Sequence, residues 1–396
     1  MRSSSKVQVG ADVLIRDRPN LIAGKRLGVI TNHSAFLASG EHLVDALSQL
    51  ENVELKALFG PEHGIRGNAP DRKSISHQSD PISGVPTFSL FGKTTKPTKA
   101  MLEDIDVLIF DIQDVGARFY TYSTTLALTM EAAAQKGIPY IVLDRPNPIG
   151  GILVEGPLLD KNLRSFVGWL PIPIVHGLTI GELARAINGE GWLPNHRQVE
   201  LHVVPMEGWR RNFYFDQTRL HWIKPSPSIC SIQTALVYPG TCLIEGTNVS
   251  EGRGTRHPFE QVGAPWIDGK LLAKKVSALG IPGLEVRSTS FTPRSTRAVT
   301  TDSKFEGMRC EGLFLRVTDR ARFRPVRAAL GILSTLRQLH PEEFFIRPKR
   351  FDELAGSKSI RKALLKGIAP DEIAADWIAG EQDFEKLRKQ YYIYKS

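Results

Sequence analysis

A mostly parallel α/β sheet covered by helices, followed by a smaller α+β unit, is the fold class that this sequence predicts. Two observations carry the prediction. In the first half, short apolar runs alternate with stretches of helical period, the pattern of a parallel sheet with helices on both faces. Three of those runs also end in polar, glycine-bearing loops: residues 55–59 into 60–67, 107–110 into 111–120, and 140–143 into 144–151. Ligands of open α/β sheets bind beyond the carboxyl ends of the strands. Such loops therefore predict an enzyme pocket for a polar, anionic small substrate.

In chain order, Leu27-Gly28-Val29-Ile30-Thr31-Asn32 reads as the first strand. Residues 41–50 place Leu43, Val44, Ala46, Leu47 and Leu50 at helical spacing. Residues 54–59 form the second strand. A short helix over 99–105 follows Pro97 and leads into the strand from Val107. Residues 123–135 read as a helix that Gly137-Ile138-Pro139 stops before the next strand. Thr179 and Glu182 have capping-box spacing and predict a helix start. Residues 199–204 are a further strand.

The texture changes over 205–228, where Trp209-Arg210-Arg211-Asn212-Phe213-Tyr214 gives way to the turn material Pro225-Ser226-Pro227-Ser228. The boundary is placed there, with domains 1–215 and 216–396. The second half mixes strands around Leu236, Leu284 and Leu313 with helices. The helical tail from Asp371 ends in Tyr391-Tyr392-Ile393-Tyr394, apolar enough to dock on the body of the protein.

Composition excludes several classes. The 396 residues are 41% hydrophobic and 23% charged, as in globular proteins. No run approaches the roughly 18 apolar residues of a membrane span. The net charge of +9 is spread along the chain, so it favours field steering of a polyanion such as a cell-wall polymer over nucleic-acid binding. Cys230, Cys242 and Cys310 are too few and too scattered for a disulfide framework and read as reduced thiols. Residues 1–10 have no apolar h-region, which predicts a cytoplasmic protein, or a periplasmic or exported one if a leader is missing.

The loops supply the candidate site. Glu62 sits in Gly60-Pro61-Glu62-His63-Gly64, where Pro61 ends the strand and the glycines leave room for a substrate. It is the candidate proton donor, unless it only caps a helix or pairs with Arg66. The segment 111–122 offers Asp111 and Asp114 on opposite faces, Arg118 as a carboxylate fork, and Tyr120 and Tyr122 as rings to stack on a sugar. An internal Asp–Arg pair that shapes the loop is the competing reading. Asn147 is held rigid between Pro146 and Pro148, for recognition or as a plain turn. Glu155 is a candidate partner acid, and His176 is ambiguous. In 245–255, glycines flank Arg253 and suggest an anion nest beside Asn248 and Glu251.

No Gly-Lys-Ser/Thr ending makes 245–255 a P-loop. Thr31-Asn32-His33-Ser34 stands where a dinucleotide fingerprint would be. No Gly-x-Ser-x-Gly elbow occurs. A metal site from His33, His63, Asp111 and His176 is disfavoured without a helix-spaced His pair. No cofactor and no metal are expected.

Taken in order, these segments resemble the DUF1343 family of exo-β-N-acetylmuramidases (NamZ, or YbbC-like, proteins). The matching stretches are Gly28-Val29-Ile30-Thr31-Asn32-His33, Leu58-Phe59-Gly60-Pro61-Glu62-His63-Gly64, residues 111–122, Leu143-Asp144-Arg145-Pro146-Asn147-Pro148, Glu155-Gly156-Pro157, Glu245-Gly246-Thr247-Asn248 and the aromatic tail. The resemblance implies a Rossmann-like domain and a second α/β domain with the pocket in the cleft between them. It implies release of N-acetylmuramic acid from the non-reducing end of peptidoglycan fragments. For that substrate, Glu62 is the expected proton donor, and Asp114 or Glu155 the second carboxyl, with Glu251 next; if the substrate's own acetamide attacks instead, the second acid need only orient it. Arg118 or Arg253 would meet the lactyl carboxylate, and Asn147 or Asn248 the acetamide. Asn32, His63, Arg66, Asp111, Tyr120, Tyr122 and His176 complete the expected substrate contacts. Two rivals stay open: a non-catalytic muropeptide- or sugar-binding protein, and a metal-dependent amidase or deacetylase. The oligomeric state is left open.

Overall fold

The computed structural model describes residues 6–62, 64–66, 78–295 and 303–395. The first unit is built on a seven-stranded sheet in the order β3-β4-β2-β1-β5-β6-β7. The strands are β1 (Lys25–Thr31), β2 (Val53–Gly60), β3 (Gln78–Ser79), β4 (Pro86–Ser89), β5 (Val107–Asp111), β6 (Tyr140–Leu143) and β7 (Leu201–Val204). All pair in parallel except β3, which runs antiparallel to β4. The order runs outward from β1 through β2 in one direction and through β5 in the other. The loops after β1 and β5 therefore diverge at a switch point, the place where such sheets open a binding crevice. The expected Rossmann-like architecture is present.

Strands β1, β5 and β6 are buried along most or all of their length, as strands covered on both faces must be. The flanking helices are α1 (Gly10–Asp17), α2 (Leu43–Ser48), α3 (Tyr122–Lys136) and α4 (Ile180–Gly189). The capping box forms as read: the Thr179 side chain accepts from the Glu182 amide and the Glu182 side chain accepts from the Thr179 amide. The stretch 99–105 is weaker than expected, a single 3-10 turn at Ala100–Leu102.

The second unit carries a three-stranded antiparallel sheet, ordered β8-β10-β9, from β8 (Gln261–Ala264), β9 (Leu284–Phe291) and β10 (Cys310–Val317). Around it lie α5 (Ile232–Thr241), α6 (Gly269–Ser277), α7 (Pro325–Leu339), α8 (Pro348–Ala355), α9 (Lys358–Lys366), α10 (Pro370–Ala375) and α11 (Ile378–Arg388). Leu236, expected in a strand, lies in α5. Its apolar run is buried all round, and a short buried run has no periodicity to separate helix from strand; the Ser231 hydroxyl, accepting from the Thr234 amide, sets the helix start.

The tail docks as expected. The Tyr394 hydroxyl donates to Asp144 at 2.6 Å and accepts from the Met206 amide at 2.8 Å. Arg388, 1% exposed, donates to the carbonyls of Gly151, Ile152, His176 and Gly177. Beside it Arg211 and Glu182, both buried, form an ion pair at 2.6 Å. No helix among the described residues is long and apolar enough to cross a membrane.

Candidate active site

The loops beyond β2 and β5 meet the second unit around a cavity of about 260 Å³. Strand β2 ends at Gly60, and Gly64, at φ 72°, donates to the Pro61 carbonyl at 3.0 Å. This tight turn presents Glu62 at the cavity wall. Tyr120 and Tyr122 form the adjoining wall, their rings edge to face at 4.8 Å. The Tyr122 hydroxyl accepts from Asn32 Nδ2 at 2.9 Å and donates to the Pro225 carbonyl at 2.8 Å. Asn32 thus positions a wall residue across the switch point between β1 and β5, and does not itself line the cavity.

The opposite wall comes from the second unit. Tyr238 packs edge to face on Phe119 and Tyr120, while the first unit adds Phe91 and Phe166 to the lining, with ring centroids 6.0 Å apart. Glu245 sits between two guanidiniums: Arg253 donates to its Oε1 from Nε at 3.1 Å and Nη2 at 2.9 Å, and Arg350 donates to its Oε2 at 2.6 Å. Burial works to raise the Glu245 carboxyl, but the two cations prevail and hold it below the usual carboxylate range. A carboxyl, edge-to-face aromatic rings and guanidiniums around one small cavity suit a single sugar with an anionic substituent.

The structure gives the other sequence candidates different work. Glu155 is 1% exposed and accepts from the Val326 and Arg327 amides at 3.1 and 2.9 Å. It caps the N-terminus of α7 and does not line the cavity. Burial pushes its carboxyl up to about 7 against those two amides. Arg118, expected as a carboxylate fork, donates instead to four carbonyls: Pro157 and Ile172 in the first unit, Leu354 and Ala355 in α8. It is a buried brace between the units, and burial lowers its pKa to about 9. Asp111 pairs with Arg145, the internal Asp–Arg arrangement that competed for this loop, though with a different arginine. Arg66 pairs with Asp45 and Asp80.

Asn147 fixes a turn, donating to the Leu178 carbonyl and accepting from the Ile149 amide. Asn248 donates to the Glu343 carbonyl and accepts from the Phe345 amide. Glu251 pairs with Lys304 at 3.0 Å. His176 is buried and accepts from the Leu178 amide; burial, with Arg388 and Arg118 nearby, lowers its pKa to about 3. His63 lies outside the described residues. Glu245, Arg350, Tyr238, Phe91 and Phe166 were not singled out from sequence. Glu245 opens the glycine-rich segment and was within reach, whereas Arg350 stands beside Arg347 and Lys349 at a helix start with no motif to single it out.

Asp114 is 7% exposed. Its Oδ2 accepts from the Gly116 amide at 2.8 Å, and its Oδ1 has no partner among the described residues. Burial pushes this carboxyl up to about 7 from the ordinary 3.8, against the pull of the Gly116 and Val115 amides. A raised folded-state value means that the fold favours the protonated acid. The associated stability is complete below about pH 4 and is lost as pH rises through about 7. Asp114→Asn keeps the shape and has no proton to lose. It is expected to gain on the parent protein as pH climbs from about 5 to about 8, read as urea midpoints; a difference independent of pH contradicts this.

A larger cleft of about 690 Å³ runs along α11. The acids on it are engaged: Glu381 accepts from the Gly156 amide and Glu385 pairs with Arg388. It holds neither Glu62 nor the tyrosine pair. Among the described residues no group of three or more His, Cys, Asp or Glu side chains is placed to hold a metal ion.

Comparison with known proteins identifies the family. Residues 27–233 match the family model for the N-terminal part of exo-β-N-acetylmuramidase NamZ, and residues 236–394 match that for its C-terminal part. The chain is 46% identical to the peptidoglycan β-N-acetylmuramidase NamZ of Bacillus subtilis (strain 168), over 98% of this chain and 92% of the relative. Two crystal structures of DUF1343 family proteins from Bacteroides fragilis share the fold. One has a TM-score of 0.91 at 35% identity, covering 98% of this chain and 99% of its own. The other has 0.80 at 34%, covering 99% and 100%. The chain belongs to the exo-β-N-acetylmuramidase NamZ family.

Proposed function

We propose that the cavity around Glu62 is where this glycosidase binds a terminal N-acetylmuramic acid and cleaves its β-glycosidic bond, releasing the sugar from the non-reducing end of peptidoglycan fragments. The observation that carries the assignment is the convergence of Glu62, the Tyr120–Tyr122 pair and the Arg253–Glu245–Arg350 group on one cavity. Its size suits one sugar ring, in keeping with removal of one residue at a time.

Glycoside cleavage needs a proton for the leaving oxygen and a group to meet the oxocarbenium-like centre. Glu62 is the proton donor. The other carboxyl lining the described cavity, Glu245, is bridged by two arginines, and Glu155 is committed to α7. The second role then falls to the substrate's own acetamide oxygen, which closes on the anomeric carbon as the leaving sugar takes the Glu62 proton. Asp114, whose carboxyl accepts from the Gly116 amide, shapes the loop that leads into the Tyr120–Tyr122 wall. Water opens the cyclic intermediate with Glu62 now acting as base.

The test is product release. Incubation with the disaccharide of N-acetylmuramic acid β-linked to N-acetylglucosamine is expected to give both free sugars, and exhaustive chelation is expected to leave the rate unchanged. Tight binding without cleavage would return the protein to the class of sugar-binding modules.

A further inference from the structure

A muramic acid differs from a glucosamine by one group, the lactyl ether and its carboxylate. Whatever selects the first over the second must offer the carboxylate a cation or a nest of N–H groups. Within the Arg253–Glu245–Arg350 group two guanidiniums meet one carboxylate, so one guanidinium charge is left over in the group, in a cavity that Glu62 also lines. The two arginines are not equivalent. Arg253 spends Nε and Nη2 on Glu245 and Nη1 on Ser228, and its side chain is 18% exposed. Arg350 is 33% exposed, and its one hydrogen bond among the described residues goes from Nη2 to Glu245. The remaining edge of its guanidinium is open to a planar bidentate contact, the geometry in which arginine takes a carboxylate.

The position of Arg350 is built in. It stands in the first turn of α8, and the carbonyls of Leu354 and Ala355 later in that helix are gripped by Arg118 from the loop after β5. Leu354 itself lines the cavity. The loop that supplies Tyr120 and leads into Tyr122 at the start of α3 thus also holds the helix that supplies Arg350. Glu245 steers the guanidinium from the side, so little side-chain entropy remains to be lost on binding.

We propose that Arg350 is the specificity-determining residue that receives the lactyl carboxylate, with Glu245 positioning it and Arg253 completing the charge balance. This rests on the muramidase reading of the same cavity. The test compares two chromogenic β-muramides, one with the free lactyl carboxylate and one with its neutral methyl ester. In Arg350→Gln, kcat/KM on the acid is expected to fall roughly 10- to 100-fold, the loss of one charge-assisted contact, mostly through KM. The ester is expected to lose far less, so the acid-to-ester ratio collapses. Equal losses on both substrates, or an unchanged ratio, overturn the proposal and leave Arg350 a partner of Glu245 only. If Arg350→Gln fails to fold, Arg350→Lys decides. It keeps the charge beside Glu245 but loses the planar fork, so a lowered ratio supports the proposal and an unchanged ratio overturns it. A parent protein that cleaves neither muramide contradicts the muramidase reading itself.

Discussion

Glu62→Gln is expected to lower kcat on a chromogenic β-N-acetylmuramide by roughly 10²- to 10⁴-fold, with a much smaller change in KM. The amide keeps the size of the side chain and its place on the tight turn, so the walls around it stay in register. What disappears is the proton that the leaving oxygen needs. A poorer leaving group should suffer more than an activated phenol, because a phenolate departs with little protonation. The graded response separates a chemical role from a structural one. Turnover within a few-fold of the parent protein on both leaving groups removes Glu62 from the mechanism.

The second large effect is on stability. Glu182 and Arg211 are fully buried and paired, and Arg211 also stacks beneath the Tyr392 ring at 3.4 Å. Glu182 further accepts from the Ile393 amide at 2.9 Å and caps α4. Glu182→Gln leaves the Arg211 cation in the interior without its counter-ion. Breaking a buried pair from one side costs about 3–5 kcal/mol. Urea unfolding should show that loss, and the tail should become open to proteolysis before the body of the protein. A loss below about 1 kcal/mol, with the tail still protected, contradicts this account of how the C-terminus is held.

The sheet was legible because its strands are written locally. Three of the apolar runs end at a glycine or an acid, Gly60, Asp111 and Asp144, and the Thr179–Glu182 box lies within four residues. Leu236 was not legible, because a run buried on every side looks the same in either secondary structure. The site divides along the same line. Glu62, Tyr120, Tyr122 and Arg253 stand in loops whose glycines advertise a close approach, and the structure brings all four to one cavity. Arg118, Asn147, Asn248 and Glu155 are equally polar, yet their partners are backbone groups. For Arg118 one of those partners lies 236 residues away. Only the folded chain shows that a loop arginine is spent on carbonyls, or that the arginine of α8 lines the cavity. Residue type announced the chemistry; tertiary packing decided which copies of each type are available for it.

The most direct measurement is a crystal structure of the slow Glu62→Gln variant with the muramyl disaccharide bound. The muramic ring is predicted to lie against Tyr120 and Tyr122, with its glycosidic oxygen within hydrogen-bond reach of residue 62 and its carboxylate on Arg350. A disaccharide seated in the cleft along α11, with the smaller cavity empty, contradicts the account.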